Sequence, residues 1–240
     1  MQIDTRLPHY QRLRDQIAAQ IAEHRWRPGE AIPTEQQLAQ NYGVAVGTVR
    51  KAIDRLVADG WLDRLQGRGT FVRRASLDGS LLRSFRFQNR GGSQRIASSR
   101  ILMREVTEAP SAVAATLLIE RGARVIHMSR LRLIDDTPMI AEEIWLPYKP
   151  FAAFATLDTS EIGDLLYPVY EARCNQVVAS ASETLTVETV DVMHARLLRI
   201  EPGTPVVVIE RLAYGYDHHP LEWRRARGSA GEFSYRVEVR

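Results

Sequence analysis

Residues 33–60 read PTEQQLAQNYGVAVGTVRKAIDRLVADG, and this stretch decides the fold of the first third of the chain. Thr34 and Gln37 have the spacing of a capping box, which predicts that a short helix begins here. A second helix is predicted over 46–59, and Gly60 is placed to end it in a left-handed cap. Its apolar face is formed by Val49, Ala52, Ile53, Leu56 and Val57. The stretch therefore predicts two helices joined by a tight turn.

The sequence on either side of this stretch completes a small module. A preceding helix is predicted over 9–24. Its apolar stripe is formed by Tyr10, Leu13, Ile17 and Ile21. Downstream, residues 61–65 and 70–72 predict two strands around the glycine-rich tip 66–69. At that tip Arg68 stands between two glycines, where it contributes little to folding and is suited to enter a minor groove.

Four residues near the start of the 46–59 helix are predicted to lie on its outer side. Gly47 permits a close approach of the backbone, and Thr48 can bond a phosphate or touch a thymine methyl. Arg50 and Lys51 can engage guanine acceptors or phosphates. The alternative is a solvated basic face on an ordinary three-helix bundle. The exposed arginine of the hairpin tip favours nucleic-acid binding.

The positive charge of the chain is confined to its first third. The whole chain of 240 residues carries a formal charge of +3. Residues 1–76 hold 12 Arg and Lys against 8 Asp and Glu, and the remainder holds 20 against 21. This distribution indicates a polyanion-binding module joined to a near-neutral domain, although uneven surface charge alone would also produce it.

Several classes of protein are disfavoured by the residues that the sequence lacks. The single cysteine, Cys174, provides neither a disulfide framework nor a cysteine-based zinc site. No apolar run approaches the ~18 residues of a membrane span, and the N-terminus has no signal-peptide stretch. The sequence contains no histidine pattern for a metal, no nucleophile motif and no Walker loop. We expect no cofactor, no metal, no membrane association and a cytoplasmic location.

The second part of the chain alternates predicted strands and helices. Helices are predicted over 111–121, 159–171 and 190–198, and strands over 125–134, 138–146, 176–187, 206–214, 221–227 and 233–239. This order predicts a mixed antiparallel sheet with helices on one face. We therefore predict an α+β protein with a winged helix-turn-helix domain at 1–74, a linker at 75–84 and a second domain at 85–240.

A weak internal repeat runs through this second part. Four residues recur 81 positions later, namely Gly122, Val125, Arg130 and Leu131 as Gly203, Val206, Arg211 and Leu212. Each copy reads as a helix, a glycine turn, a strand, a polar turn and a second strand. The repeat predicts a duplicated helix-hairpin unit related by a pseudo-twofold axis.

Two arginines in the first copy point to an anion. Arg130 and Arg132 are two apart on one predicted strand, so both side chains lie on the same face of the sheet. Glu142 lies on the strand predicted to pair with theirs and could accept a hydrogen bond from a ligand. The alternative is a cross-strand ion pair that decorates an exposed face, and the residues alone favour it.

The first third strongly resembles the GntR family of bacterial transcription regulators. The matching text includes Pro28 to Glu35, Leu38-Ala39, Gly47 to Ala52, Gly60 and Gly67 to Val72. By resemblance, residues 34–36 begin the second helix near DNA, and Thr48, Arg50 and Arg68 contact the operator. The full set of expected DNA contacts is Thr34, Glu35, Gln36, Gly47, Thr48, Arg50, Lys51, Gly67, Arg68, Gly69 and Thr70. Ala45-Val46 and Gln36 depart from the family's usual Ser-Arg and Arg, so affinity or base choice should differ.

The second part resembles the UTRA ligand domain of the HutC-like branch, which has a chorismate-lyase-like fold. The matching text includes Leu131-Arg132, Pro138 to Glu142, Leu166-Tyr167, Gly203 to Val206 and Pro220 to Trp223. This resemblance implies an effector pocket that contains Arg130, Arg132, Glu142, Tyr167 and Glu222. Leu165 stands where phosphosugar-binding relatives often carry Ser or Thr. A carboxylate or another small anion is therefore favoured over a sugar phosphate.

Together these features predict a ligand-responsive transcription regulator. We expect a repressor that binds double-stranded operator DNA as a homodimer and is released by a small anionic effector. The resemblance also implies a bacterial, nucleoid-associated location. Two alternatives stay open at this point. The second domain could catalyse a lyase-like reaction, since its fold does so elsewhere. The protein could also bind DNA without responding to any ligand.

Overall fold

The computed structural model describes residues 8–73 and 98–233. The chain divides into two compact units, Met1–Ala75 and Ser76–Arg240. The predicted linker at 75–84 lies outside the described residues, and so does the predicted closing strand after Phe233. The domain boundaries 1–74 and 85–240 therefore stay predictions.

The first unit contains three helices and a hairpin, as the sequence predicts. The helices are α1 (His9–Ala22), α2 (Glu35–Tyr42) and α3 (Val46–Ala58), and the strands are β1 (Leu62–Leu65) and β2 (Gly69–Val72). Their shared core contains Leu13, Ile17, Ile21, Leu38, Val49, Ile53, Leu56, Leu62 and Val72. The capping box at the start of α2 is confirmed, because Thr34 and Gln37 bond each other's backbone amides. Gly60 has a φ of +80°, so the predicted left-handed cap is also confirmed.

The β1–β2 hairpin, which we call the wing, is fixed to the segment before α2. The amide of Ile32 donates to the carbonyl of Thr70 at 2.9 Å, and Ala31 pairs with Phe71 as an isolated bridge. At the tip, Gly67 and Gly69 have φ angles of +73° and +119°, which side chains with a Cβ rarely adopt. The glycines therefore allow the tight turn that presents the arginine between them.

The second unit is built on one six-stranded sheet in the order β3-β4-β5-β8-β7-β6. The strands are β3 (Ser98–Glu108), β4 (Arg124–Ile134), β5 (Thr137–Pro147), β6 (Ser180–Thr189), β7 (Pro205–Tyr214) and β8 (Pro220–Ser229). Every pairing among the described strands is antiparallel. The described sheet is thus purely antiparallel rather than mixed.

The internal repeat is visible in the structure. Leu118 and Arg199 both have positive φ angles, and so do Gly122 and Gly203, in each case 81 residues apart. These turns follow the helices α4 (Ser111–Thr116) and α7 (Val192–Leu198), and each leads into a hairpin. The two hairpins meet where β5 pairs with β8 at the centre of the sheet. A repeated helix-hairpin unit therefore builds the sheet.

Helices cover both faces of this sheet, so the prediction of one covered face is wrong. The helices α4 and α7 pack on one face, where Val113 lies close to Trp223 and Ala195 lies close to Val208. On the opposite face, Tyr170 of α6 (Leu166–Cys174), which follows the short helix α5 (Ala152–Thr156) in the chain, donates to Glu222 of β8 at 2.7 Å. Adjacent residues of a strand point to opposite faces, which separates the two layers.

Three other element predictions need correction. The predicted helix 159–171 is a 3-10 turn, Thr159–Glu161, followed by α6, and Pro168 lies in the first turn of α6 where its missing amide costs little. The predicted helix 111–121 ends at Thr116, and the predicted strand 176–187 begins at Ser180. Strand β3 was not predicted, because its polar and charged residues hide the alternating pattern of a half-exposed edge strand. No helix in 8–73 or 98–233 is long and apolar enough to cross a membrane.

Candidate nucleic-acid interface and ligand pocket

The start of α3 presents a polar, basic surface. Gly47, Arg50 and Lys51 are exposed, Thr48 is half-buried, and the intervening Val49 is fully buried in the core. A Cβ at position 47 would meet no atom within 4 Å, so the backbone there is open to a close approach. The predicted division between the outer and inner sides of this helix is confirmed.

A chain of ion pairs connects α3 with the start of α2 and with the wing. Arg50 Nε donates to Glu35 Oε2 at 2.9 Å, and Arg64 Nη2 donates to Glu35 Oε1 at 3.2 Å. Arg64 Nη1 also donates to Asp54 Oδ1 at 2.8 Å. We call Arg50, Glu35, Arg64 and Asp54 the surface ion chain. Sequence analysis predicted its first two members but missed Arg64 and Asp54, because only folding brings β1 next to α2.

The other predicted DNA contacts differ in how free they are. The Thr34 hydroxyl is 3.1 Å from Gln37 Oε1 and serves the helix cap, whereas Gln36 is exposed. Gly67, Arg68 and Gly69 are all exposed at the wing tip, and Thr70 is half-buried. The structure thus places the exposed members on α2, α3 and the wing of one compact unit.

The second unit contains a buried network of charged side chains on the face that α6 covers. We call this network the charged cluster; it consists of Arg130, Arg132, Glu142, Glu183, Arg211, Glu222 and Arg224. Its members come from β4, β5, β6, β7 and β8, so it crosses most of the sheet. Such burial is tolerated only when charges are paired and hydrogen-bonded.

At the centre of the charged cluster, two carboxylates are almost fully enclosed by cations and hydroxyls. Glu142 bonds Arg130, its register partner, and accepts from Arg224 Nη1 at 3.1 Å. Glu222 accepts from Arg224 Nε at 3.0 Å and Nη2 at 2.9 Å. The hydroxyl of Tyr170 donates to the second oxygen of Glu222 at 2.7 Å. Both carboxylates are therefore satisfied by the protein itself.

The electrostatics of this centre hold the Glu142 carboxylate ionised. Burial opposes the charge of Glu142, but Arg130, Arg224 and Arg132 overcome it and lower its pKa to about 2. Burial also opposes the charge of Arg224, yet the carboxylates of Glu222 and Glu142 raise its pKa well above the usual value. Glu142 and Arg224 therefore stay charged at neutral pH.

Tyrosines and a second arginine–glutamate pair extend the cluster towards β6. Arg211 Nε donates to Glu183 Oε1 at 2.7 Å, and Arg211 Nη1 lies 3.4 Å from the Tyr167 hydroxyl. That hydroxyl also lies 3.4 Å from Glu222 Oε1. Burial, together with the charge of Glu222, raises the pKa of Tyr167 to about 12, so it remains a neutral donor.

Arg132 differs from the other arginines of the charged cluster. Its Nη1 donates to the Ser99 hydroxyl at 2.9 Å and to the carbonyl of Asp164, which are neutral acceptors. Among the described residues, no carboxylate oxygen lies within 4.0 Å of its guanidinium. Burial lowers the pKa of Arg132; the charge of Glu142 opposes this shift, and Arg130 and Arg224 add to it. Arg132 is therefore an arginine of the charged cluster whose described hydrogen-bond acceptors are neutral.

The structure brings the predicted ligand residues together but changes their interpretation. Arg130, Arg132, Glu142, Tyr167 and Glu222 all line the same covered face. An Arg130–Glu142 pair does form, yet its side chains are only 3% and 1% exposed, so it does not decorate an exposed face. Sequence analysis missed Ser99, Glu183, Arg211, Arg224 and Tyr170 as members of the site. Arg211 could have been found, because the repeat makes it the counterpart of Arg130.

Within the described ranges, no group of three or more His, Cys, Asp or Glu side chains is arranged to hold a metal ion.

Comparisons with known proteins agree with this architecture. Residues 9–72 match the family model of the bacterial regulatory proteins of the gntR family, and residues 93–234 match the UTRA domain. The chain is 29% identical over 212 residues to a probable fructoselysine utilization operon transcriptional repressor of Escherichia coli, with 88% of this chain and 86% of that protein covered. It is also 29% identical over 232 residues to the E. coli mannosyl-D-glycerate system repressor MngR, with 95% and 94% covered.

The fold is also that of a solved regulator. The crystal structure of PhnF from Mycobacterium smegmatis superposes with a TM-score of 0.55 at 22% identity, covering 95% of this chain and 99% of that one. The UTRA model alone spans more than half of the present chain. The family and its named relatives are transcription regulators, not enzymes. The chain is a DNA-binding transcription regulator of the gntR family, and its second domain is a UTRA domain.

Proposed function

We propose that this regulator is a repressor that leaves its operator when a small anion binds beside Arg132. The observation that carries the proposal is the environment of Arg132, a partly buried guanidinium that donates to neutral acceptors and lies near Arg130 and Arg224 as well as Glu142. An anion there would replace neutral acceptors with a charge-assisted pair, which is roughly twice as strong as a neutral hydrogen bond.

The other predicted ligand residues have roles around this contact. Arg130, Glu142 and Glu222 already bond one another or Arg224, so they shape and polarise the pocket. Tyr167 offers a neutral hydroxyl with only long hydrogen bonds, and we expect it to contact the effector directly. One relative is named for mannosyl-D-glycerate, and a glycerate carries a carboxylate. This supports a carboxylate as the ligand group.

On the DNA side, we propose that α3 enters the major groove and that the wing reaches the adjacent minor groove. The expected contacts are Thr34, Gln36, Gly47, Thr48, Arg50, Lys51, Gly67, Arg68, Gly69 and Thr70, whereas Glu35, which the sequence also predicted as a contact, is already bonded to Arg50 and Arg64. One such module offers few contacts, so we propose a homodimer on a near-palindromic operator with half-sites about 10 bp apart. The relatives named as repressors support the direction of regulation.

The proposal is tested by operator binding with and without added anions. A tight duplex is selected from a random library with the parent protein, and its affinity is measured in the presence of glycerate, citrate or inorganic phosphate. An effective anion should weaken operator binding by about 5- to 150-fold. Arg132→Ala should bind the duplex like the parent but no longer respond. Arg68→Ala should bind the duplex more weakly and keep the response.

Arg100→Ala is the matched control, because it removes an exposed arginine of the same unit whose only described partner, Asp136, is 4.0 Å away. It should behave like the parent protein. If Arg132→Ala still responds, the pocket lies elsewhere. If neither these anions nor a metabolite extract alters binding, the protein binds DNA independently of a ligand.

A further inference from the structure

The surface ion chain suggests a role for Glu35 other than contacting DNA. We propose that Glu35 is a positioning residue, which holds Arg50 through its Nε so that the two terminal nitrogens of Arg50 can read a guanine. This inference rests on the proposed placement of α3 in the major groove, and it narrows the choice between a base contact and a phosphate contact for Arg50.

Arg50 is bonded to Glu35 through one nitrogen only. Its Nε donates to Glu35 Oε2 at 2.9 Å, and no described residue accepts from Nη1 or Nη2. The side chain is 61% exposed, so its terminal edge faces solvent. Recognition of guanine by arginine uses two parallel donors towards O6 and N7. The bond to Glu35 leaves such a pair of donors free and restricts the side-chain rotamers before DNA arrives.

Glu35 is itself held by a second arginine, Arg64. Its Oε1 accepts from Arg64 Nη2 at 3.2 Å, and the same guanidinium bonds Asp54 at 2.8 Å. Both oxygens of Glu35 therefore have cationic donors, and its side chain is only 25% exposed. A carboxylate that faced DNA would meet the negative phosphates. Glu35 is better placed to orient Arg50 than to touch DNA.

The negative charge of Glu35 also affects how strongly Arg50 attracts DNA. A paired Arg50 has part of its field cancelled by Glu35, which weakens the attraction to phosphates that all sequences share. Removal of the carboxylate should therefore strengthen binding to arbitrary DNA while it weakens recognition of the chosen base. These two changes have opposite signs. A purely structural role would weaken binding to every duplex alike.

The experiment uses the full chain and two duplexes, the one selected from a random library with the parent protein and a scrambled version. Glu35→Gln should lower the ratio of selected to scrambled affinity about tenfold, since one bidentate guanine contact carries discrimination of that order. Its affinity for the scrambled duplex should rise a few-fold. Asp54→Asn, which loosens Arg64, should shift the ratio in the same direction by less. If Glu35→Gln does not fold, Asp54→Asn tests the inference in its place.

Glu30→Gln is the matched control, because it removes the same charge from the same unit and the Glu30 side chain bonds only the amide of Arg27 among the described residues. It should leave the ratio unchanged. An equal fall in the ratio for Glu30→Gln, or an unchanged ratio for Glu35→Gln, would overturn the inference. Arg50→Ala tests the proposed DNA interface separately from the role of Glu35. If Arg50→Ala leaves the ratio unchanged, the proposed interface is wrong as well. If Arg50→Ala strongly lowers the ratio, a negative result with Glu35→Gln contradicts only the role of Glu35.

Discussion

The two units of this regulator each contain an arginine–glutamate pair, but the pairs have opposite environments. Arg50 and Glu35 meet at the surface of the first unit, with side chains 61% and 25% exposed. Arg130 and Glu142 meet within the second unit, at 3% and 1% exposed. The residue types and the contact are the same, whereas access to water differs.

This difference determines what each pair can do. An exposed pair in water is worth about 0–1 kcal/mol, so the Arg50–Glu35 pair adds little to stability and leaves the terminal nitrogens of Arg50 available to DNA. A buried pair cannot be broken cheaply, because the remaining charge would have no solvent. The surface pair therefore suits recognition, and the buried pair suits the maintenance of a preformed pocket.

The largest expected effect comes from breaking the buried pair. Arg130→Ala should lower the free energy of unfolding of the second unit by about 3–5 kcal/mol, because Glu142 keeps its charge but loses a partner. Urea denaturation followed by the fluorescence of Trp145 and Trp223 measures this. The double variant Arg130→Met/Glu142→Leu is the control and should recover much of the loss. A loss of less than about 1 kcal/mol for Arg130→Ala would show that the buried pair stabilises the protein no more than an exposed pair does.

A somewhat smaller effect is expected from acid. The pKa of Glu142 is lowered from 4.5 to about 2 in the folded protein, so its stabilising contribution is complete above pH 4.5. That contribution is lost as the pH falls from about 4.5 to about 2, and it amounts to at most about 3 kcal/mol. Glu142→Gln should therefore show a flatter decline of stability in this range. Identical pH profiles for the parent and the variant would show that Glu142 titrates normally.

The smallest effect is expected at the surface ion chain. Arg64→Ala removes the bonds to Glu35 and Asp54, yet the side chain is 43% exposed, so the loss of stability should not exceed about 1 kcal/mol. Thermal denaturation at low and high salt measures it, and the difference from the parent should shrink as salt screens the charges. A loss of several kcal/mol that persists in high salt would show that the surface ion chain stabilises the protein as strongly as the buried Arg130–Glu142 pair.

The sequence by itself determined the first unit and the repeat of the second. Local signals sufficed where the cause is local, as with the capping box at Thr34, the left-handed cap at Gly60 and the apolar face of α3. The repeat was readable because two turns need the same backbone, with glycine at 122 and 203. The strand period also predicted that Arg130 and Arg132 share a face.

Only the tertiary structure decided where these groups lie relative to water and to each other. Arg130 and Glu142 are buried on the face where Asp164 contacts Arg130 and α6 contacts Glu222, and no local pattern records which face a helix will cover. Ser99 reaches Arg132 only because β3 pairs with β4, and Arg64 reaches Glu35 only because the wing folds against α2. Such contacts join residues about 30 positions apart. These contacts depend on how distant parts of the chain pack together, and no local sequence pattern records that packing.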